Sequence, residues 1–535
     1  MGAEVVNSID QQTMWSDSGY VTEIPYMRDY MRYQAPITMA FAAAANGFGA
    51  PDYRKPFRYC DLGCGEAVTT LALAAAYPHG TFVGVDLNPT HIENAEKLAQ
   101  AAGLENVTFL KADFEDPRIE ANGPFDFVAS HGVYSWVAPD VQSQFHSLVG
   151  RIIKDGGLLY FCHYVRPGAG KIEVMFQLIQ SLMKDKKGTL LERVKAALSE
   201  ARAMYDEGAP IFEYHSSLGR YIDELENRDA RYLVHEFCNR FFYPRFFAQV
   251  AEDLGAVGLQ HVGSTRFERN GLRTLFGDGV PKALEGLDHG VAEDRASLLG
   301  VDQFRWDVFR KQDVGAENQR PASEQLSDFI LDSAVFPYGY PKSATLWDTE
   351  VVFDQDAFQA ISALATTGRQ TIGEILAHPS LTAIAADKAL MTVLQMVGSR
   401  NFHPIVEPAG VPIVKPQTRL RFATHFPAAL GSRDLLVEGY LSVPSTSIGG
   451  VISLTGFEGL AALAHDGRNR HEAFKELSGQ ILALTETQGK RLKSHRFSTE
   501  PELQAAWSKF ERTTLPLLVK YGVLVASESL AEIAK

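Results

Sequence analysis

Short apolar strands alternate with amphipathic helices, a glycine-rich turn follows the first strand, and acidic residues close successive strands. Together these predict an α/β protein built on a doubly wound, mainly parallel sheet. FRYCDL, from Phe57, is a short apolar strand that stops at Gly63, and AVTTLALAAAYP is a helix ended by Pro78. TFVGVDL is a β-branched strand. Asn88 and Pro89 then suit the N-cap and first turn of the helix THIENAEKLAQAAG, with Gly103 at its C-terminal stop. VTFLKAD and FDFVASH are the third and fourth strands. VQSQFHSLVGRIIK is a helix, Gly156-Gly157 a turn and LLYFCHYV a fifth strand. Strands separated by helices need crossover connections, which makes them parallel.

The flanks read differently. Residues 10–46 are a lead-in loop followed by one helix, Ile37 to Asn46, stopped by Gly47, Gly49 and Pro51. Residues 170–265 read as mainly helical, through IEVMFQLIQSLMKD, TLLERVKAALSEARAMY and PRFFAQVAEDLG. Phe241, Phe242, Tyr243, Phe246 and Phe247 form a dense aromatic cluster there, as in a core or lid helix. Residues 310–345 are polar and proline-containing, which suits a boundary. Beyond them AFQAISALATT, TIGEILAH and DKALMTVLQMVGSR precede the strand-like VPIVKPQTRLRF, which suggests a winged-helix-like α+β module, with a second of the same kind to the C-terminus.

Composition narrows the class of function. The chain has 535 residues, 45% hydrophobic and 22% charged, as in a globular protein of several domains. A net charge of -14 and a pI near 5.6 repel phosphate backbones, so no nucleic-acid partner is expected. Four cysteines, Cys60, Cys64, Cys162 and Cys238, fit a reducing compartment, and no ligand set of metal-binding spacing accompanies them. The N-terminal stretch lacks the charged and apolar regions of a signal peptide, and no run of about 20 apolar residues exists to enter a membrane. A cytoplasmic location is the expectation.

The strongest local signal is Asp61-Leu62-Gly63-Cys64-Gly65-Glu66-Ala67, set between strand and helix. Glycines there let the backbone approach a ligand without a Cβ in the way. An acid at the strand tip suits a cationic amine and would repel a pyrophosphate. Val68 stands where a dinucleotide site has its third glycine, which disfavours NAD and FAD. Asp86 closes the second strand 21 residues after Gly65, the place of a ribose-binding acid. Asp113 closes the third strand, where it can face an adenine rim, and His131 closes the fourth, at the edge where open sheets bind ligands.

DLGCG, VDLNP, KADF and GGLLY, in this order, resemble the class I S-adenosylmethionine methyltransferases. The resemblance implies a Rossmann-like domain with S-adenosylmethionine as cofactor. The glycine loop would run under the methionine part, Asp86 would hold the ribose, and Asp113 with Phe114 would meet the adenine. The implied cofactor set is Asp61, Gly63, Cys64, Gly65, Asp86, Leu87, Asp113, Phe114, Ser130 and His131, with no metal. Ala67 stands where the family often has another glycine.

A narrower resemblance is to methyltransferases with a regulatory domain, which include bacterial protein-lysine methyltransferases. It is carried by YVTEIPY (Tyr20 to Tyr26, with Thr22 where an acid is usual), SHGVYSWV (Ser130 to Val137), HEFCNRFFYPRFFAQVAEDLGAVGLQHVG and SLTGFEGLAALAHDGRNRHEAF. It implies an N-terminal lid segment (1–50), a cofactor domain (51–169), a helical regulatory or lid region (170–320), a winged-helix-like module (345–420) and a C-terminal helical or winged-helix-like module (421–535). A homodimer is implied by the resemblance alone. The family's tyrosine-asparagine after strand five is replaced by His163-Tyr164, and its proline-glycine-tryptophan by Pro167-Gly168-Ala169.

Methyl transfer from a sulfonium is an in-line displacement, so alignment supplies much of the rate. An aromatic pocket lowers a lysine's pKa and favours the cationic donor. The expected pocket is Tyr20, Tyr26, His131, Tyr134, Trp136 and Tyr164, and His163 is a candidate base for an oxygen acceptor. Three functions are open: a protein-lysine methyltransferase whose C-terminal modules recruit substrate, a small-molecule N- or O-methyltransferase under a helical lid, and a cofactor-binding sensor whose winged modules touch DNA.

Overall fold

The protein is described here from a computed structural model covering residues 19–21, 24, 26–270, 284, 286–313, 319–333, 343–346, 349–365, 370–399, 401–406, 417, 419–430, 440–488 and 500–526. Thr22 of the N-terminal motif and the expected strand residues 411–416 lie outside the described residues.

Eight strands make the central sheet: β1 (Arg58–Leu62), β2 (Thr81–Asp86), β3 (Val107–Lys111), β4 (Phe125–His131), β5 (Ile153–Arg166), the two-residue β6 (Arg245–Phe246), β7 (Leu259–Ser264) and β8 (Phe304–Lys311). Their order is β3-β2-β1-β4-β5-β8-β7, with β6 pairing at the end of β5. The first five run parallel, and β8 lies antiparallel between β5 and β7. Side chains alternate between two cores, as the period of two in a strand requires. Tyr59, Phe82, Phe127 and Tyr160 face a cluster shared with helices Pro36–Ala45, Val68–Ala76 and Pro89–Ala102. Cys60, Val83, Val128 and Phe161 face the other, under helices Pro117–Ala121, Pro139–Ile152 and Phe247–Ala256. Burial on both faces explains the near-continuous apolar character of these strands. The helix after β2 is capped as its sequence implies: the Asn88 side chain accepts from Thr90 N at 2.9 Å, and Gly103 closes it at φ 65°.

The stretch from 170 to 320 departs from the helical expectation. Helices Gly170–Met183, Leu190–Asp206, Ser217–Glu226 and Ala230–Phe237 do form a third core with Val21, Trp136 and Phe242. But β7 and β8 also join the central sheet, whose strands extend beyond residue 169. FRWDVFRK conceals its strand character because three of its buried positions, Arg305, Asp307 and Arg310, are charged. Arg305, 1% exposed, binds Asp307 (2.8 Å), Glu293 (2.8 Å) and Asp302 (3.2 Å), while His163 and His261 approach Asp307 at 3.5 and 3.2 Å. Burial alone would raise the Asp307 carboxyl, yet the Arg305 guanidinium and the two imidazoles hold it well below the carboxylate range. This places His163, the candidate base, in a sealed ion network beneath the sheet edge.

Beyond residue 320, helices Gln355–Ala365, Ile372–Leu376 and Ala386–Gly398 pack with a small antiparallel sheet of Gln370–Thr371, Ile330–Ser333 and Phe402–Ile405. The middle strand of that sheet precedes the helices in the chain. A hairpin, Tyr440–Ser445 with Gly450–Thr455, leads into helices Gly456–Ala464, Arg470–Gln488 and Glu500–Lys520, and Leu524–Ala526 pairs back with Leu420–Phe422. These segments join the first core cluster through residues such as Phe402, Leu441, Leu460 and Trp507. At the hairpin turn Gly449 takes φ 67°, and a Cβ there would lie 2.2 Å from the Tyr77 hydroxyl, so only glycine lets the turn close on helix Val68–Ala76. Among the described residues no helix is long and apolar enough to cross a membrane.

Asp307→Ala leaves Arg305 buried without its bidentate partner. We expect a loss of about 3–5 kcal/mol in unfolding free energy by urea titration. A loss under 1 kcal/mol would contradict the network's role.

Candidate active site

At the carboxyl ends of β1, β2 and β4 the chain turns away from the sheet and leaves a cavity of about 220 Å³. It is lined by Gly63 and Gly65 from the first turn, Asp86 and Leu87 from the second, Asp113 and Phe114 from the third, and His131 from the fourth. Tyr20 and Tyr26 enter from the N-terminal segment, Trp136 from the 3-10 turn after β4, Tyr164 from β5, and Tyr232, His235 and Glu236 from the helix above.

The glycine turn is held from below. Gly63 N and Cys64 N both donate to Val85 O, at 2.8 and 2.9 Å. Gly63, at φ 83°, has the Val133 side chain 2.2 Å from where a Cβ would stand, so no side chain fits there. Gly65, at φ 57°, has nothing within 4 Å of that point and opens onto the cavity. Ala67 takes φ 58°, the left-handed conformation that glycine adopts without strain, which accounts physically for a glycine at this place in similar sequences.

Asp86 is the hub of the site. Its Oδ2 accepts from Gly65 N at 2.8 Å, and its Oδ1 accepts from Asn88 N at 2.8 Å and meets His91 Nδ1 at 3.1 Å. The far nitrogen of His91, Nε2, accepts from Tyr26 N at 3.3 Å. One carboxylate therefore fixes the glycine turn, the next helix and, through one imidazole, the N-terminal segment. Asp113 uses one oxygen to accept from Glu115 N at 3.0 Å and faces the cavity rim, and Phe114 leans edge-on against Phe145. This donor set suits S-adenosylmethionine: acids for ribose hydroxyls and an adenine amine, and a turn that a side chain would block. When bound, that cofactor supplies an electrophilic methyl group on a sulfonium.

Four expected residues do not line the cavity. Asp61 is buried beneath the turn, where Thr70 Oγ1 donates to it at 2.6 Å, and burial pushes its carboxyl up to about 7. Cys64 points away from the cavity toward Gly84, and Ser130 is buried within β4. Tyr134 turns into the second core against Phe145 and Phe161, its hydroxyl accepting from Arg245 Nη1 at 3.2 Å. Tyr134 and Trp136 part because Tyr134–Trp136 is a 3-10 turn, which leaves only Trp136 at the cavity.

His131 does line the cavity. Its Nδ1 meets the Tyr160 hydroxyl at 2.8 Å, and burial lowers its pKa to about 4, so the imidazole is uncharged where a sulfonium would sit. Burial likewise lowers His235 to about 4; its Nε2 bonds Ile24 O at 2.7 Å, and its ring packs on Tyr20 and Tyr26 at 5.5 and 5.0 Å. Trp136 stacks on Phe242 at 4.4 Å and meets Tyr164 edge-on at 5.7 Å, which gives two members of the aromatic cluster's surroundings a place at the pocket wall. The sequence reading missed His91, Tyr232, His235 and Glu236. The sequence offered only an amphipathic helix just before the aromatic cluster, which does not single out Glu236.

The sheet order, the glycine turn and the strand-end acids define an S-adenosylmethionine-dependent methyltransferase, and the chain is one. Residues 54–205 match the family described as "Methyltransferase domain", and residues 229–311 match "Predicted methyltransferase regulatory domain". Within the class, then, this is a methyltransferase carrying a regulatory domain. The uncharacterized protein sll1526 of Synechocystis is 26% identical over 517 residues, covering 95% of this chain and 99% of that one. The uncharacterized protein RP789 of Rickettsia prowazekii is 27% identical over 259 residues, 44% of this chain and 45% of its own. In fold, the chain is similar to PKMT2 from Rickettsia typhi, solved in complex with AdoHcy, at 16% identity and a TM-score of 0.68, covering 94% of this chain and 100% of that one.

Asp86→Ala removes the acceptor of two backbone N–H groups and the anchor of His91. We expect calorimetry to show S-adenosylmethionine affinity falling about 100-fold, since hydrogen bonds to a charged group contribute about 1.5–3 kcal/mol each. Affinity within threefold of wild type would contradict the hub assignment.

Proposed function

We propose that the protein transfers the methyl group to the side-chain amine of lysine in a protein substrate. The observation that carries this reading is the acceptor end of the cavity, where the rings of Tyr20, Tyr26, Trp136, Tyr164 and Tyr232 surround one buried carboxylate, Glu236. Aromatic faces attract alkylammonium groups, and a carboxylate beneath them favours a cation over a neutral hydroxyl. Burial raises the pKa of Tyr20, Tyr26 and Tyr164, so each presents a protonated hydroxyl that can accept from an amine N–H and turn its lone pair toward the methyl carbon.

The likeness in fold to the Rickettsia protein lysine methyltransferase supports a protein acceptor. So does the extent of chain beyond the sheet, a surface large enough to hold a polypeptide. The modules from residue 320 onward are the recruiting surface in this reading. His163, buried beside Asp307, is not available to serve an oxygen acceptor, which favours N- over O-methylation.

A second reading, a small-molecule methyltransferase, draws support from the helices between 170 and 237, whose core includes the cavity residue Trp136. A lid of that kind suits an acceptor enclosed whole. Incubation of the full chain with tritiated S-adenosylmethionine and a lysate of the source cells separates the two. We expect label in a discrete protein band, recovered after digestion as methyl-lysine. Label confined to the small-molecule fraction would overturn the protein reading.

A further inference from the structure

Glu236 stands out among the cavity residues because, among the described residues, hydroxyls rather than an ion pair hold its carboxylate. It is 5% exposed, at the end of helix Ala230–Phe237, and lines the cavity. Tyr221 and Tyr164 donate hydroxyl hydrogen bonds to its Oε1 at 3.2 and 3.4 Å, and Tyr232 adds a third. These hydroxyls come from three different elements: helix Ser217–Glu226, strand β5 and the glutamate's own helix. Arg228 is the cation whose charge reaches it, and it acts more weakly than any of the hydroxyls. Tyr26 and the uncharged His235 complete its surroundings on the cofactor side. A carboxylate buried without a counter-ion is costly, and the cost is recovered when a cationic ligand arrives.

We infer that Glu236 anchors the incoming ammonium of the acceptor and then takes its proton. This rests on the proposed amine acceptor and names the group that makes it reactive. An acceptor R–NH3⁺ enters the aromatic cavity and pairs with the Glu236 carboxylate. One N–H bond breaks, the proton passes to a Glu236 oxygen, and R–NH2 is left with a free lone pair. That nitrogen attacks the methyl carbon; the C–N bond forms as the C–S bond breaks, and the sulfonium becomes a neutral thioether. The product is R–NH2⁺–CH3, and the Glu236 proton leaves to solvent after product release. Burial pushes the Glu236 carboxyl up to about 7 against the pull of the three hydroxyls, a value suited to taking a proton near neutral pH. Because that pKa is raised, the carboxyl is protonated and inactive below about 7 and active above it, so the rate should rise with pH through this range.

Glu236→Gln keeps the shape and hydrogen bonding while removing the charge. In the full chain, labelling from tritiated S-adenosylmethionine at pH 7.5 should fall about 100-fold or more, and the rise through pH 7 should vanish. S-adenosylmethionine affinity should stay within twofold. Glu236→Asp should restore part of the rate. A readout that does not depend on turnover uses n-butylammonium chloride and n-butanol as probes in the presence of S-adenosylhomocysteine. Wild type should bind the amine at least tenfold more tightly than the alcohol, and Glu236→Gln should lose that preference. A variant with a wild-type pH profile, or a wild-type protein without amine preference, overturns the inference. If the label falls in small amines instead of protein, the protein-acceptor reading fails while the same Glu236 comparison is made on that fraction.

Discussion

The carboxylate of Asp86 is the constraint on which the site depends. It accepts from Gly65 N and Asn88 N and engages His91, whose other nitrogen receives Tyr26 N. A single side chain thus sets the curvature of the glycine turn, the start of the following helix and the seat of the N-terminal segment. The glycine turn and the backbone of Tyr26 are thereby joined through one carboxylate and one imidazole at the wall of the cavity.

The rest of the architecture delivers residues to that point from distant parts of the chain. The parallel strands bring three loops to one edge, the helices from 170 to 237 supply a ceiling, and the N-terminal segment closes the side. Two side-chain hydrogen bonds tie the N-terminal segment to the helices above it. His235 bonds Ile24 O, and Asn239 accepts from Val21 N at 3.1 Å, which stitches the segment to the ceiling. Further along, Tyr440 donates to Arg28 O at 2.9 Å, so the C-terminal hairpin touches the same segment from outside. The cavity, the helices above it and the C-terminal hairpin thus share one strip of backbone.

Much of the cofactor half was legible in the sequence because its residues sit at fixed offsets from strand ends. Asp86, Asp113, Gly63, Gly65 and His131 line the cavity for that reason. The aromatic end was legible near those motifs, as with Trp136 and Tyr164, and in the N-terminal YVTEIPY segment, as with Tyr20 and Tyr26. Tyr134 stood in the expected pocket, but a 3-10 turn, which rotates successive side chains by about a third of a turn, carries its ring into the second core. Asp61 looked like a ligand but serves the turn from beneath, satisfied by Thr70. Glu236 was not legible, since a glutamate on an amphipathic helix reads as a solvent-facing residue until tertiary packing surrounds it. The strand β8 was hidden by the opposite effect: Arg305 and Asp307 look exposed, and only their mutual pairing allows them inside.

That pairing of β8 with β5 has a consequence for biosynthesis. The strand that covers the edge of β5 begins at Phe304, more than a hundred residues after β5 ends. Until it leaves the ribosome, the nascent sheet presents a long, apolar, unpaired edge, the kind of surface that invites misassociation. Contacts so distant in sequence also form slowly. The intervening helices build their own core around Trp136, Phe176 and Phe237, and so can shelter that unfinished edge while the last strands are still being made.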